Sequence, residues 1–413
     1  MKKILAFLTV FVLLFAGTVS CFGAPFACAE AAPEEAEAAE APETAEEAET
    51  AEEAPAEPKK VLDFDAMRAA YDEDKVVLTI DGTDITWGDY YSLFYLYARD
   101  AANNFDMMKA YYGMDQSWDD VFDQGTGMTY ADYVAYGAEQ EITQMVLYEN
   151  YAAEKGAVLS DEAKAEIEAG VLETAKKVLG EDATAEDYVA SLSEFYVSPE
   201  MYYRMMNTNY LAEETMAAEF GEIGEKMTSE EVVAELEENS FMTAKHILFM
   251  TVDRETGETV DEDTARAAKA KAEEIVKELQ AIEDDAERKA KFDEYEAEYN
   301  DDPGRELFTD GYTFVPGTMY PEFEAATEAL GDWEVSDIVE STSGYHVIMR
   351  LPLSEESLIL YDGNCYPART MSAGTAYAKE LQAYHDGMVT TYAEDFTAPN
   401  PKDFMVLAEE AAE

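Results

Sequence analysis

Histidine is scarce in this chain, so its placement carries information. Only three occur, at 246, 346 and 385. His246 and His346 each interrupt a short apolar, β-like run, whereas His385 lies in a stretch with helical periodicity, outside any motif, and reads as incidental. A lone imidazole in an apolar run is more often a satisfied structural group than a reactive one. Around this pair the sequence offers an acidic step, Asp301-Asp302, just before Pro303-Gly304. It also offers the apolar side chains Phe314, Met319 and Phe323 and the hydroxyls Ser341 and Ser343. Met319 and Phe323 are four residues apart, which places them on one face if that turn is helical. The three cysteines, Cys21, Cys28 and Cys365, show no ligand spacing with the histidines. Neither a zinc site nor a disulfide framework can be read from them, and no metal or cofactor is expected.

Those residues need elements to hold them. Ala244 to Met250 reads as a strand, and Asp261 to Ile282 as a long helix with Ala, Ile and Leu on one face. A shorter helix near Ala290 to Tyr299 leads into the Asn300–Gly304 loop. A short helix near Pro321–Leu330 follows, then a closing strand from Gly344 to Leu351. Strand, long helix, short helices and strand describe a compact α+β domain of about 110 residues. Upstream, Val76–Ile80 runs through the turn Asp81-Gly82 into Thr83–Ile85, and Thr86 is a candidate N-cap. Helices are expected from Tyr90 to about Asn103, then near Tyr130–Lys155, Ser160–Leu179, Ala185–Ser193 and Pro199–Phe220. Ile142, Met145 and Val146, and likewise Tyr202, Met205 and Met206, recur at helical spacing and read mostly as core. A last helix is expected over Met371–Glu394, with Tyr377, Leu381, Tyr384, Met388 and Tyr392 on one face.

Four short motifs in order resemble the parvulin family. Ala244-Lys245-His246-Ile247-Leu248 resembles its opening A-x-H-I-L strand. Phe292-Asp293-Glu294-Tyr295 with Tyr299-Asn300-Asp301-Asp302 is similar to its F-x-x-L/Y…Y-S-x-D segment. Phe314 through Met319, followed by Glu322-Phe323-Glu324, is similar to F-x-x-G-x-M-x-x-x-F-E. Ser343-Gly344-Tyr345-His346-Val347-Ile348 resembles its closing G-Y-H-I-I strand. The surrounding layout resembles the PrsA/SurA class of extracytoplasmic foldases. The resemblance implies an α+β fold: a parvulin-like domain, a small antiparallel sheet with surrounding helices, inserted in a mainly α-helical chaperone-like body.

It also implies peptidyl-prolyl cis/trans isomerisation. An X-Pro bond resists rotation by about 18–20 kcal/mol and exchanges over tens of seconds or longer. No bond is broken, so neither nucleophile, metal nor cofactor is required. The enzyme must seat the proline ring in an apolar pocket and favour the twisted amide. By the resemblance, Met319 and Phe323, with Phe314, form the proline pocket. His246 and His346 sit on adjacent strands as a hydrogen-bonded pair. Asp302 faces the substrate amide, with Asp301 as the neighbouring alternative, and Ser341 and Ser343 extend the histidine network. Thr309-Asp310-Gly311-Tyr312-Thr313-Phe314 departs from the family's G-G-x-L-G-x-F: the leucine is lost and the wall near Gly311 and Tyr312 differs. The loop after His246 lacks the basic cluster of phospho-specific parvulins.

The N-terminus frames this domain. Lys2-Lys3, an apolar run from Ile4 and Ala27-Cys28-Ala29 make residues 1–29 an export signal. Two processing sites compete. Cleavage after Ala29 gives a secreted protein; cleavage at the lipobox-like Gly17-Thr18-Val19-Ser20-Cys21 gives a lipidated Cys21 that tethers the chain to the outer face of a membrane. Residues 30–60 follow as an acidic Ala/Glu/Pro spacer, with 12 glutamates between Glu30 and Pro58 and no positive charge there, a composition that cannot bury a core. The remaining domains are expected at 61–240 (helical, chaperone-like), 241–353 (isomerase) and 354–413 (a C-terminal helix packing on the N-terminal domain, and a tail). The net charge of −63 opposes nucleic-acid binding. The expected partners are unfolded or extended exported polypeptides containing proline. The competing readings are a catalytically weak or inactive parvulin-fold holdase that binds extended clients, and a structural surface protein.

Overall fold

The computed structural model describes residues 26–27, 59–253 and 256–408. The export signal with Cys21, and nearly all of the acidic spacer, lie outside the described residues. The chain divides into two compact units, one with described residues 59–218 and 380–408, the other with 26–27 and 219–379.

The first unit is mostly helical: Trp87–Tyr112, Tyr130–Lys155, Asp161–Leu179, Ala185–Ser191 and Pro199–Phe220. Their starts follow local chemistry. Thr86 accepts a hydrogen bond from the Asp89 N–H, and Thr129 and Thr184 form reciprocal capping boxes with Asp132 and Asp187, satisfying N–H groups that the first turn leaves free. Trp87, Tyr90, Tyr91, Phe94, Ile142 and Val146 fill the core. Met145, Tyr202 and Met205 are buried there too, so those stripes are packing residues. At Asp81-Gly82 both residues take positive φ (45° and 83°), the geometry of a tight hairpin turn, and Val76–Ile80 pairs with Thr83–Thr86.

The end of the chain is built into this unit. The last helix runs over Ala368–Gly387 and stops short of Glu394. Thr390–Tyr392 is instead a strand, antiparallel to Val76–Ile80, and Met405–Leu407 pairs with Lys60–Leu62. Gly387 ends the helix, and the tyrosine that continues the helical period, Tyr392, is a half-exposed strand residue.

The second unit carries the candidate site, and its elements are labelled β1 (Met242–Met250), α1 (Glu262–Gln280), α2 (Asp285–Tyr299), β2 (Tyr312–Phe314), α3 (Pro321–Ala329), β3 (Val339–Glu340), β4 (Gly344–Leu351), β5 (Leu358–Tyr361), β6 (Asn364–Pro367) and the first part, to Lys379, of α4 (Ala368–Gly387). Seven strands form one sheet in the order Phe26–Ala27, β6, β5, β2, β1, β4, β3. All neighbours are antiparallel except β5 and β2, which run parallel. Cys365 on β6 is buried.

Strand alternation sorts the two faces. Ile247, Phe249, Val347 and Met349 point to α1, which returns Ala272, Ile275, Val276 and Leu279 from one helical stripe,. Met242, Ala244 and Ile348 point the other way, toward Phe314 and Phe323. The compact unit is wider than residues 241–353. The first half of α4 packs on the helix Ser229–Glu238, with Ser372 Oγ donating to the Val232 carbonyl at 3.2 Å and Lys379 paired with Glu235 at 2.8 Å.

Candidate active site

The site is built on the face of β1 and β4 that α1 does not cover. In the antiparallel register His246 stands opposite Ile348 and His346 opposite Leu248, so the two imidazoles are diagonal neighbours on one face. Their ring centroids lie 5.2 Å apart, edge to face at 66°, and both are almost fully buried. They are not hydrogen-bonded to one another as expected. Each turns its Nε2 outward, His246 to Asp302 Oδ2 at 3.0 Å and His346 to Ser341 Oγ at 2.7 Å. Both Nδ1 atoms are buried without a hydrogen-bond partner. Diagonal strand positions set the ring separation, and the two Nε2 partners fix the ring orientation.

Asp302 reaches His246 because α2 is pinned to β1. Lys245, on the opposite side of the strand, is buried and pairs with Asp293 at 2.9 Å and Glu296 at 2.6 Å, both on α2. Asn300 then caps the helix and behaves as a surrogate strand: its Nδ2 donates to the His246 carbonyl (3.0 Å), while its Oδ1 accepts from the N–H groups of Leu248 (2.9 Å) and Asp302 (3.1 Å). Asp301 is taken up elsewhere, accepting from the Met250 N–H at 3.0 Å, which leaves Asp302 as the carboxylate beside the histidines. Asp302 Oδ2 also accepts from Tyr312 Oη at 2.6 Å, and Oδ1 from the Gly304 N–H at 3.0 Å. Burial alone would raise its pKa, but the hydrogen bond and charge of His246, with the tyrosine and glycine donors, hold it at about 2,. His346 is driven the other way, down to about 3, first by burial and then by the neighbouring His246, against an opposing pull from Asp302. At neutral pH the site therefore holds a buried carboxylate and a neutral His346.

The apolar floor comes from β2 and α3. Phe314 and Phe323 are buried, their rings 5.9 Å apart, and Phe323 meets His246 and His346 edge-on at 5.3 and 5.7 Å. Gly311, at φ +94°, lets the chain enter β2 against β1: a Cβ there would stand 2.9 Å from the Ala244 carbonyl oxygen. Met319 packs at the edge of this cluster, half-buried. It does not share a helical face with Phe323, because α3 begins only at Pro321. A turn delivers it instead. The Glu324 carboxylate accepts from the Gly317 N–H (2.9 and 3.0 Å) and the Met319 N–H (2.8 Å), folding the turn back over the helix start.

Ser341 joins the histidine network directly, but Ser343 does not. The Ser343 N–H donates to Ser341 Oγ at 3.1 Å, and its hydroxyl pairs with Tyr320 Oη at 2.9 Å at the rim. His385 lies on α4 beside Asp386. Asn300, Tyr312 and Glu324 were not singled out as site residues from sequence. Asn300 and Glu324 stand inside the quoted motifs, and Tyr312 inside the departing stretch, so their positions were visible while their bonds were not. Among the described residues, no group of three or more His, Cys, Asp or Glu side chains could hold a metal ion, and no helix is long and apolar enough to cross a membrane.

Residues 246–351 match the family described as Rotamase, the PPIC-type PPIASE domain. This segment matches the parvulin type of isomerase domain. The parvulin match begins at His246 and ends at Leu351, the last residue of β4, so it spans the whole constellation. The chain is also similar to the Foldase protein PrsA of Halalkalibacterium halodurans, 31% identical over 183 residues, which is 43% of this chain and 47% of that protein. A second relative is the Peptidyl-prolyl cis-trans isomerase Pin1 of Malus domestica, 42% identical over 76 residues, 18% of this chain and 63% of that protein. The chain thus spans roughly half to two thirds of these relatives' lengths. Among solved structures, the crystal structure of PrsA from Bacillus subtilis is 19% identical, covering 76% of this chain and 90% of that one, at a TM-score of 0.22.

Proposed function

We propose that this protein is a peptidyl-prolyl cis/trans isomerase and foldase that acts on unfolded polypeptides outside the cytoplasm. The observation that carries the reading is the layered site within the parvulin domain: a Phe314–Phe323 floor in edge contact with His246 and His346, and a carboxylate, Asp302, beside them.

In this reading the proline ring rests on Phe323, with Phe314 beneath and Met319 at the rim. Twisting the amide withdraws resonance, making its nitrogen more basic and its carbonyl less polar. A dry apolar seat favours the less polar twisted form over the planar one. Asp302 stays ionised and would disfavour the electron-rich carbonyl of the planar amide. His346, neutral and tied to Ser341, holds the floor without adding charge.

The helical unit is assigned the holding of clients. Met107, Tyr111, Tyr112 and Met114, at and just beyond the end of helix Trp87–Tyr112, are exposed, and flexible Met with amphipathic Tyr suits varied apolar segments. Proline-containing exported chains are the substrates in this account, and Cys21 is the proposed lipid tether. Refolding of a protein limited by a cis-proline, followed with and without the full chain, tests the function: acceleration supports it, and an unchanged slow phase removes it. For the tether, Cys21→Ser should move the protein from the membrane fraction to the medium; equal partition of both forms would remove that part alone.

A further inference from the structure

We propose that Tyr312 is a positioning residue of the isomerase site: its hydroxyl shares Asp302 Oδ2 with His246 and keeps that carboxylate aimed at the histidine pair. The inference rests on the isomerase reading above. It concerns a position where the chain departs from the parvulin pattern, in the stretch that loses its leucine.

The placement is constrained from four directions. Tyr312 opens β2 and is in register with Ala244 of β1, next to His246. Its ring stacks on Phe308 with centroids 4.2 Å apart and planes at 29°, and it lies 5.6 Å from the His246 ring. Its hydroxyl meets Asp302 Oδ2 at 2.6 Å. Gly304 leaves the space for it: a Cβ at 304 would fall 1.8 Å from the tyrosine oxygen. Counted back from Phe314, the family pattern has a glycine at this position, which has no side chain to donate. Burial and the charge of Asp302 both push the phenol's pKa above its ordinary value, so Tyr312 acts as a donor across the working range.

Other charged groups near Asp302 are otherwise engaged. Lys245 on β1 is paired with Asp293 and Glu296 of α2. Arg305 donates to the carbonyls of Glu296 and Asn300, and Asp301 accepts from the Met250 N–H. His346 on β4 is tied to Ser341. His246 and Tyr312 are therefore the two side chains hydrogen-bonded to the Asp302 carboxylate. Two donors on one oxygen hold the carboxyl plane where a single histidine bond would let it rotate. The Tyr312 ring packs against the apolar floor, whereas its hydroxyl acts through Asp302, so loss of the hydroxyl alone should lower kcat and leave KM nearly unchanged.

The test uses the full chain with Tyr312→Phe, which keeps the ring and its stack. Two quantities are read: isomerase kinetics on a proline peptide, and the titration of the Asp302 carboxyl carbon by NMR, assigned by its loss in Asp302→Asn. The expected result is a kcat about five- to tenfold lower at unchanged KM and an Asp302 pKa raised by about one unit. An active wild type whose Tyr312→Phe form shows neither change overturns the proposal while leaving the isomerase reading intact; an inactive wild type overturns the reading itself. Should Tyr312→Phe fail to fold, Gly304→Ala decides instead. It keeps the tyrosine but denies its hydroxyl that position, and it must shift both quantities in the same directions.

Discussion

Glu324→Ala should disable the proline pocket without unfolding the domain. The Glu324 carboxylate holds the turn that carries Met319, accepting from two backbone N–H groups, those of Gly317 and Met319, at 2.8–3.0 Å. A hydrogen bond to a charged acceptor contributes about 1.5–3 kcal/mol. For this half-buried carboxylate, solvent competition reduces that to about 1 kcal/mol per donor, or about 2 kcal/mol for the turn. That corresponds to a factor of about 30 in the population of the ordered turn. Because the turn contributes Met319 to ground-state seating, most of the loss should appear in KM, with kcat/KM for a proline peptide down about tenfold. Phe314, Phe323 and the histidines do not depend on this carboxylate, so thermal unfolding should move by only a few degrees. Glu324→Gln, which keeps one acceptor oxygen, should fall between the two. The assay is steady-state isomerisation of a proline peptide across a substrate series, with unfolding measured in parallel. A Glu324→Ala protein with kcat/KM within twofold of wild type would refute the reasoning that this turn builds the pocket.

Other outcomes follow from the same geometry. Asp302, held at about 2 in the fold against an ordinary value near 4, stabilises the folded state above pH 4, and that contribution is lost as pH falls from about 4 toward 2. His346, held at about 3, is protonated more readily in the unfolded chain, so stability is lost from about pH 6.5 downward. Urea midpoints for His346→Gln should therefore depend less on pH between 6.5 and 4 than those of wild type; parallel curves would contradict the burial argument. Asn300→Ala leaves the Leu248 N–H and the His246 carbonyl unpaired and should cost about 2 kcal/mol in urea unfolding, together with a loss of activity as Asp302 comes free. Phe323→Ala should cost about 3–5 kcal/mol and abolish isomerisation; activity retained in a folded form would show that proline does not sit on this ring.

Much of the framework was legible because its signals are local. Thr86 and Ser160 announce helix starts through side chains three residues from the N–H groups they cap, and Asp81-Gly82 announces a turn through its backbone preference. The strands of His246 and His346 were readable from apolar runs, and their adjacency came from the family resemblance. What escaped depends on contacts between distant segments. The parallel pairing of β5 with β2 joins Ile359 to Thr313 with no local cue. The strand Thr390–Tyr392 was hidden because Met388 and Tyr392 happen to continue the period of α4. The spacing of four puts Met319 and Phe323 on one face only if the turn between them is helical, and Pro321, suited to the first turn of a helix, starts α3 after Met319,. Ser341 and Ser343 looked equivalent in sequence, but the turn geometry sends one hydroxyl to His346 and the other to Tyr320.

The central claim is tested most directly by the isomerisation rate of a proline peptide with the full chain, compared with the same chain carrying His246→Ala and Met319→Ala together. The account predicts clear acceleration by wild type and its near-complete loss in the folded double variant. Equal rates for the two proteins, whether both fast or both at the uncatalysed value, would contradict it.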